Sequence, residues 1–86
     1  MNHLLLSNVS PSDTACAAMV CADRLQDFPP HVQTAAVCAL FLTLCRVHQA
    51  NAQDVFTITT NLMADPIAGQ REEFRALGLY VENELK

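Results

Sequence analysis

The chain contains no tryptophan, one tyrosine and only two glycines among its 86 residues. So few glycines argue against a β-rich fold with many tight turns and favour helices joined by short connections. Charged residues are also sparse, at 16 %, whereas 51 % of the residues are hydrophobic. A disordered chain needs the opposite balance, so the sequence predicts a single folded domain over residues 1–86.

Basic residues are fewer than acidic ones, five against nine, and the formal net charge is −4. A modestly acidic surface repels phosphate backbones, which disfavours nucleic acid as a partner. The start of the sequence, MNHLLLSNVS, has no basic residue and only a short leucine run, so it does not match a secretory signal. Without such a signal the four cysteines are expected to be reduced thiols, and we expect a cytoplasmic protein, in the host cytoplasm if the gene is viral.

Capping signals divide the chain into four predicted helices. The serine–proline pair at 10–11 begins the first, and FPP at 28–30 ends it and begins the second. Asn51 and Asp54 form a capping pair for the third, although VFTITT at 55–60 has β-propensity and makes a strand the competing prediction. The predicted segments are a lead-in over 1–9 and helices over about 11–27, 31–49, 52–64 and 68–85.

The second predicted helix contains AAVCALFLTLC, residues 35–45, and has no polar face. Such a helix either spans a membrane or is surrounded by protein. The uncharged interval over 28–45 has prolines and polar residues at one end, and a span needs about 20 mainly apolar residues, which disfavours the membrane. The sequence therefore predicts an all-α four-helix bundle with this helix at its centre, and an apolar surplus that favours a homodimer. The predicted core and self-association residues are Met19, Val37, Leu40, Phe41 and Leu44.

Motifs for catalysis, cofactors and metals are missing from the sequence. There is no glycine-rich phosphate loop, GxSxG or HExxH, so we expect neither an enzyme nor a cofactor. Cys38 and Cys45 lie about 10.5 Å apart along a helix and cannot share one tetrahedral ion. Cys45 and His48 are spaced as two ligands or as a nucleophile and base, but nothing nearby supplies further ligands or an orienting group.

Residues 44–62, LCRVHQANAQDVFTITTNL, loosely resemble a helix–turn–helix. The turn lacks the usual glycine, and the second helix has no arginine or lysine to contact phosphates. A DNA-binding regulator is therefore the alternative function, and it would require Arg46, Arg71, Arg75 and Lys86 to converge on one face.

The favoured function is a non-catalytic protein–protein interaction module that acts as a homodimer. A short, acidic, all-helical chain without catalytic motifs resembles accessory proteins of bacteriophages and mobile elements, which modulate or inhibit one host protein; this resemblance assigns no residues. An acidic outer surface would steer the encounter with a basic partner, or would only keep an apolar protein soluble. The candidate partner-binding residues are Asp23, Asp27, Glu72, Glu73, Glu82 and Glu84.

Overall fold

The structure is a computed structural model, and it describes residues 2–85 apart from the side chain of His3. It is mostly helical, and its described part contains five helices and one two-stranded hairpin. In chain order these are α1 His3–Ser7, α2 Pro11–Arg24, α3 Pro30–Val47, α4 Ala52–Met63, β1 Ala64–Asp65, β2 Gly69–Gln70 and α5 Glu72–Glu84.

The N-terminal segment forms α1, whereas the sequence predicted an irregular lead-in. The side chain of Asn2 caps this short helix by accepting a hydrogen bond from the backbone N–H of Leu4 at 2.8 Å. At the other end, Asn8 donates its side-chain amide to the carbonyl of Leu4 at 2.8 Å. Two asparagines therefore satisfy both ends of a single helical turn, which packs against α4.

The predicted starts of α2 and α4 are confirmed. The Ser10 hydroxyl accepts from the N–H of Asp13 at 3.1 Å, and the Asn51 side chain accepts from the N–H of Asp54 at 3.0 Å. The strand prediction for 55–60 is wrong because the helix provides partners for its threonines. Thr60, for example, donates its hydroxyl to the carbonyl of Phe56 at 2.8 Å inside α4. The helix predicted over 52–64 is confirmed as α4.

The last predicted helix, over 68–85, begins later than expected because a hairpin precedes it. Ala64 pairs with Gln70 and Asp65 pairs with Gly69 in an antiparallel register. The Asp65 carboxylate accepts from the N–H groups of Ile67 and Ala68 at 2.8 and 2.9 Å, which closes the turn. Gly69 has φ +84°, a conformation that suits glycine and does not belong inside a helix.

The core lies between α2 and α5 and is small. Small side chains of α2, Ala15 and Ala22, allow α5 to approach closely, and Phe74 of α5 is only 3 % exposed. Leu85 is buried just beyond the end of α5. Phe74 is the largest buried side chain among the described residues, so this one aromatic anchors the helix pair.

The predicted bundle around a central second helix is not confirmed. The chain is flat, with extents of 35 × 34 × 18 Å, which allows about two layers of helices at their usual spacing of about 10 Å. Since α2 and α5 pack on each other and α1 packs on α4, too few elements remain to enclose α3. Consequently α3 contacts mainly α4 and lies at the surface of the chain.

Candidate protein-interaction site

The helix α3 is apolar on all sides and yet almost entirely exposed. Only Gln33 and Cys45 of its residues are buried. Phe41 is half-buried, and the other large apolar side chains of the helix are exposed by between 38 % and 58 % of their surface. These exposed residues are Val32, Val37, Leu40, Leu42, Leu44 and Val47. Large exposed apolar surfaces on small proteins are typical of interaction sites, which makes α3 the candidate.

An open apolar groove of about 700 Å³ runs beside α3. Residues of α2, α3 and α5 line it, together with Leu85, and Phe56 of α4 adds one aromatic ring. From α3 the lining residues are Gln33, Thr34, Val37, Cys38 and Phe41. No lining residue is charged, so the groove is suited to an apolar, uncharged occupant.

Two hydrogen-bonded contacts hold the walls of the groove in place. Gln33 is buried, and its side-chain amide donates to the carbonyls of Leu25 and Phe28 at 3.0 and 2.7 Å, which fixes the turn from α2 into α3. The hydroxyl of Tyr80 in α5 donates to the carboxylate of Asp23 in α2 at 3.1 Å, which joins the other two helices that contribute lining residues.

The chain exposes more surface than its mass predicts. Its solvent-accessible area is 6353 Å² at 9.4 kDa. A folded monomer of this mass normally exposes about 5,000 Å², so the excess is about 1,300 Å². A protein–protein interface of standard size covers about 800 Å² on each partner. The excess is therefore large enough for one interface of at least that size.

The predicted self-association residues fall into two groups. Val37, Leu40, Phe41 and Leu44 lie on one face of α3, since they follow one another at helical spacing; we call this face the α3 stripe. Val37 and Phe41 also line the groove. Met19 in α2 is half-buried and does not line it. The structure therefore brings together the α3 part of the predicted set and separates Met19 from it.

The predicted acidic residues do not form one patch. Asp23 is exposed but binds Tyr80, and Glu84 lies close enough to act on the charge state of Tyr80, so these two acids share one end of the α2–α5 pair. Glu72, exposed, and Glu73, half-buried, belong to the first turn of α5, at the far end of that helix. The remaining acids, Asp27 and Glu82, are exposed.

Partial burial is the main reason that the pKa of Tyr80 is raised above 10.0, and the hydrogen bond to Asp23 raises it further. Gln26 donates its side-chain amide to the Tyr80 oxygen at 2.7 Å and acts in the opposite direction. At neutral pH the phenol is therefore protonated and able to donate to Asp23. This contact between α2 and α5 could not be predicted from sequence, because nothing in the pattern pairs positions 57 residues apart.

The thiols and the histidine that the sequence singled out are dispersed. Cys16, Cys21 and Cys38 are exposed, and Cys45 is buried. His48 has an exposed side chain at the C-terminal cap of α3. Among the described residues, no group of three or more His, Cys, Asp or Glu side chains is arranged to hold a metal ion.

The helix–turn–helix segment folds as two helices joined by a tight turn. Gln49, at φ +55°, takes the left-handed position that glycine usually occupies. The N–H of Ala50 reaches the carbonyl of Cys45 at 2.8 Å, which ends α3 in a Schellman motif. Of the cations needed for DNA, Arg46 lies in the last turn of α3, within this segment, and Arg75 lies in α5. Arg71 precedes α5, and its side-chain Nε donates to the carbonyl of Leu62 at 2.6 Å. Lys86, the fourth predicted cation, lies outside the described residues.

By length and composition, α3 also meets the criteria for a membrane span, with 18 residues and a mean hydropathy of 1.3. One such helix is weak support for a membrane protein, because core helices of soluble proteins and signal segments meet the same criteria. No second helix of this kind exists among the described residues.

Comparison of the chain with protein-family models, with curated proteins and with solved structures finds no match. Function must therefore be argued from the surface of the molecule itself.

Proposed function

We propose that this chain is a small, non-catalytic protein–protein interaction module that acts as a homodimer. The observation that carries the proposal is the exposure of α3, the most apolar helix of the chain. Covering a fully exposed Val, Leu or Phe side chain stabilises a complex by about 1.5–3 kcal/mol. The α3 side chains are exposed by 38–58 %, so each contributes roughly half of that, and several of them together offset the entropic penalty of association.

The homodimer is the simplest way to cover this surface. Most soluble oligomers are symmetric, and a two-fold pair uses the same patch on both copies. The excess area of each chain is larger than the area that one partner contributes to a standard interface. Self-association through α3 would also explain why the helix has no polar face, since the second copy would cover the side that the chain's own helices leave open.

The acidic residues at the end of the α2–α5 pair are the proposed site for a second, basic protein. Asp27, Glu82 and Glu84 are exposed and lie outside the groove. Surface carboxylates attract a basic partner over a Debye length of about 8 Å at physiological salt, and they affect encounter and choice of partner more than affinity. In this role the protein would modulate or inhibit its partner by occupying a surface, in the manner of phage or mobile-element accessory proteins.

A DNA-binding regulator is the second candidate, favoured by the tight turn between α3 and α4. Asp54 is the charged residue of α4, so the helix that would enter the major groove presents a negative charge to the phosphates. Arg71 and Arg75 lie near enough to the Asp65 carboxylate to lower its pKa, so a negative charge accompanies these two cations. Charge therefore favours the protein-binding function.

A tagged pull-down from lysate of the source organism, or of its host if the gene is viral, tests the proposal. Nuclease is added throughout, and the same experiment is run with a variant in which Asp27→Asn, Glu82→Gln and Glu84→Gln remove the charges. The matched control is Glu72→Gln with Glu73→Gln at the far end of α5. The proposal expects one stoichiometric protein partner that the first variant loses and the control retains. Capture that nuclease abolishes would support the DNA-binding candidate instead.

A further inference from the structure

We propose that the groove holds α3 of a second copy of this chain, packed antiparallel to the first α3 across a two-fold axis near Cys38. The inference rests on the proposed homodimer and goes beyond it, because it assigns the occupant of the groove and the register of the two helices.

The chemistry of the groove selects its occupant. All its lining residues are uncharged, and the amide of Gln33 is already used by two backbone carbonyls. A segment that brings a charge into the groove would lose hydration without gaining an opposite charge. Residues 32–45 of α3 contain no Asp, Glu, Lys, Arg or His, and they are mostly exposed. The chain therefore carries, on its own surface, a helix of the composition that its groove requires.

In the dimer α3 has two roles: it lines the groove of its own chain and fills the groove of the second copy. Thr34, Val37, Cys38 and Phe41 line the groove from α3 and lie on one face of that helix, at positions i, i+3, i+4 and i+7. When two copies meet through this face, each α3 enters the groove of the other, and both grooves are filled in a single step. A two-fold arrangement of this kind closes, so no apolar groove is left to recruit a third copy.

The position of the axis follows from the same four residues. Their centre lies between Val37 and Cys38, and two helices related by a perpendicular two-fold axis run antiparallel. In that register Thr34 of one copy lies opposite Phe41 of the other, and the two Cys38 side chains lie near the axis. A small residue thus faces the bulkiest one, which allows the side chains to interlock.

The areas agree with this arrangement. An excess of about 1,300 Å² on each copy exceeds the roughly 800 Å² that each partner contributes to a standard interface. The groove and the adjoining α3 stripe form one continuous apolar surface, which is too extended for a small ligand to cover. A helix from a flat second copy covers both at once.

Charge substitutions at two exposed valines test the groove. Val37 of α3 lines it and is 48 % exposed, whereas Val20 of α2 is 60 % exposed and does not line it. We expect Val37→Asp to weaken the dimer by about 100-fold or more, because each copy would bury an unpaired carboxylate. The matched control Val20→Asp should change the dissociation constant by less than about threefold. Sedimentation equilibrium measures both, and circular dichroism verifies that each variant is helical.

Cross-linking with a short bis-maleimide tests the register. A chain with Cys16→Ser and Cys21→Ser keeps Cys38 as its exposed thiol, and a control with Cys21→Ser and Cys38→Ser keeps Cys16; Cys45 is buried in both. The inference expects covalent dimer from the first chain only.

The results separate the inference from the proposed function. A dimer that Val37→Asp leaves intact, or that cross-links through Cys16 and not through Cys38, would overturn the inference while the homodimer stands. A monomer at all concentrations would overturn both. A monomer that sediments with phosphatidylcholine vesicles would overturn both in favour of a lipid surface as the partner of α3.

Discussion

The side-chain amide of Gln33 donates a hydrogen bond to the carbonyl oxygen of Phe28 over 2.7 Å, and this bond fixes the angle at which α3 leaves the preceding turn. The same amide also donates to the carbonyl of Leu25 at 3.0 Å. One buried polar side chain thus satisfies two carbonyl groups at the end of α2 and holds one wall of the groove.

Replacing Gln33 with alanine is expected to destabilise the fold by about 1–2 kcal/mol, because the Phe28 carbonyl loses its side-chain donor in a partly buried turn. The Leu25 carbonyl loses one of two donors and still accepts from the N–H of Phe28 at 3.0 Å. Urea unfolding followed by circular dichroism, at one fixed protein concentration, measures the change. The control is Gln53→Ala in α4, whose amide reaches only the Thr57 hydroxyl at 3.4 Å in an exposed position. It should change the free energy of unfolding by less than about 0.5 kcal/mol. Equal effects of the two variants would show that the Gln33 bonds do not stabilise the turn.

Truncation of Phe74 should destabilise the fold, whereas truncation of Phe56 should weaken the dimer. Phe74 is 3 % exposed between α2 and α5, so Phe74→Ala should lower the free energy of unfolding by about 3–5 kcal/mol. Phe56 is 61 % exposed in the isolated chain and lines the groove. Phe56→Ala should preserve the helical spectrum and weaken dimerisation by about tenfold. A comparable loss of fold in both variants, measured by circular dichroism and sedimentation, would contradict the separation of core from interface.

The titration of Tyr80 should be displaced to alkaline pH. Partial burial and the bond to Asp23 raise its pKa above 10.0. A raised pKa means that the folded state favours the protonated phenol, so this contribution to stability is complete below pH 10.0 and is lost as the pH rises through the folded pKa. Since Tyr80 is the only tyrosine and there is no tryptophan, phenolate absorbance reports it alone. Asp23→Asn should lower the measured pKa, and an unchanged value would contradict the role of that bond.

The hairpin turn should depend on pH at the acidic end. Hydrogen bonds from the backbone N–H groups of Ala68 and Ile67 hold the pKa of the Asp65 carboxyl below 3.8, and Arg71 and Arg75 add to this. A lowered pKa gives a contribution that is present above the unfolded pKa and is lost as the pH falls through the folded pKa. NMR titration of Asp65 should therefore give a pKa below 3.8, with the amide signals of Ile67 and Ala68 shifting at the same pH. Titration at the ordinary value would mean that the turn does not hold the carboxylate.

Local signals predicted much of this fold. Ser10 and Asn51 begin helices where the sequence indicated, because an N-cap acts within one turn and its effect is visible in four residues. The predicted last helix over 68–85 starts too early, because residues 69–70 pair with 64–65 and the Asp65 carboxylate holds the turn between them. Such a turn uses the same residue types as a helix start, so sequence alone does not separate the two.

The packing of the helices against one another is harder to predict from the sequence. The apolar character of α3 was evident from composition, and it predicted burial, yet the chain alone leaves the helix exposed. Composition states how much apolar surface must be covered and does not state which molecule covers it. Likewise the groove depends on Gln33 and Tyr80, two polar residues whose distant partners leave no periodic signal.

The mass of the unmodified chain in solution tests the central claim most directly. Sedimentation equilibrium should give twice the 9.4 kDa of the single chain at micromolar concentration. The mass should fall toward that of the single chain only when the protein is diluted into the nanomolar range. A mass of 9.4 kDa throughout the range, in a chain that remains helical by circular dichroism, would contradict the account, because α3 would then be exposed to water with no second copy to cover it.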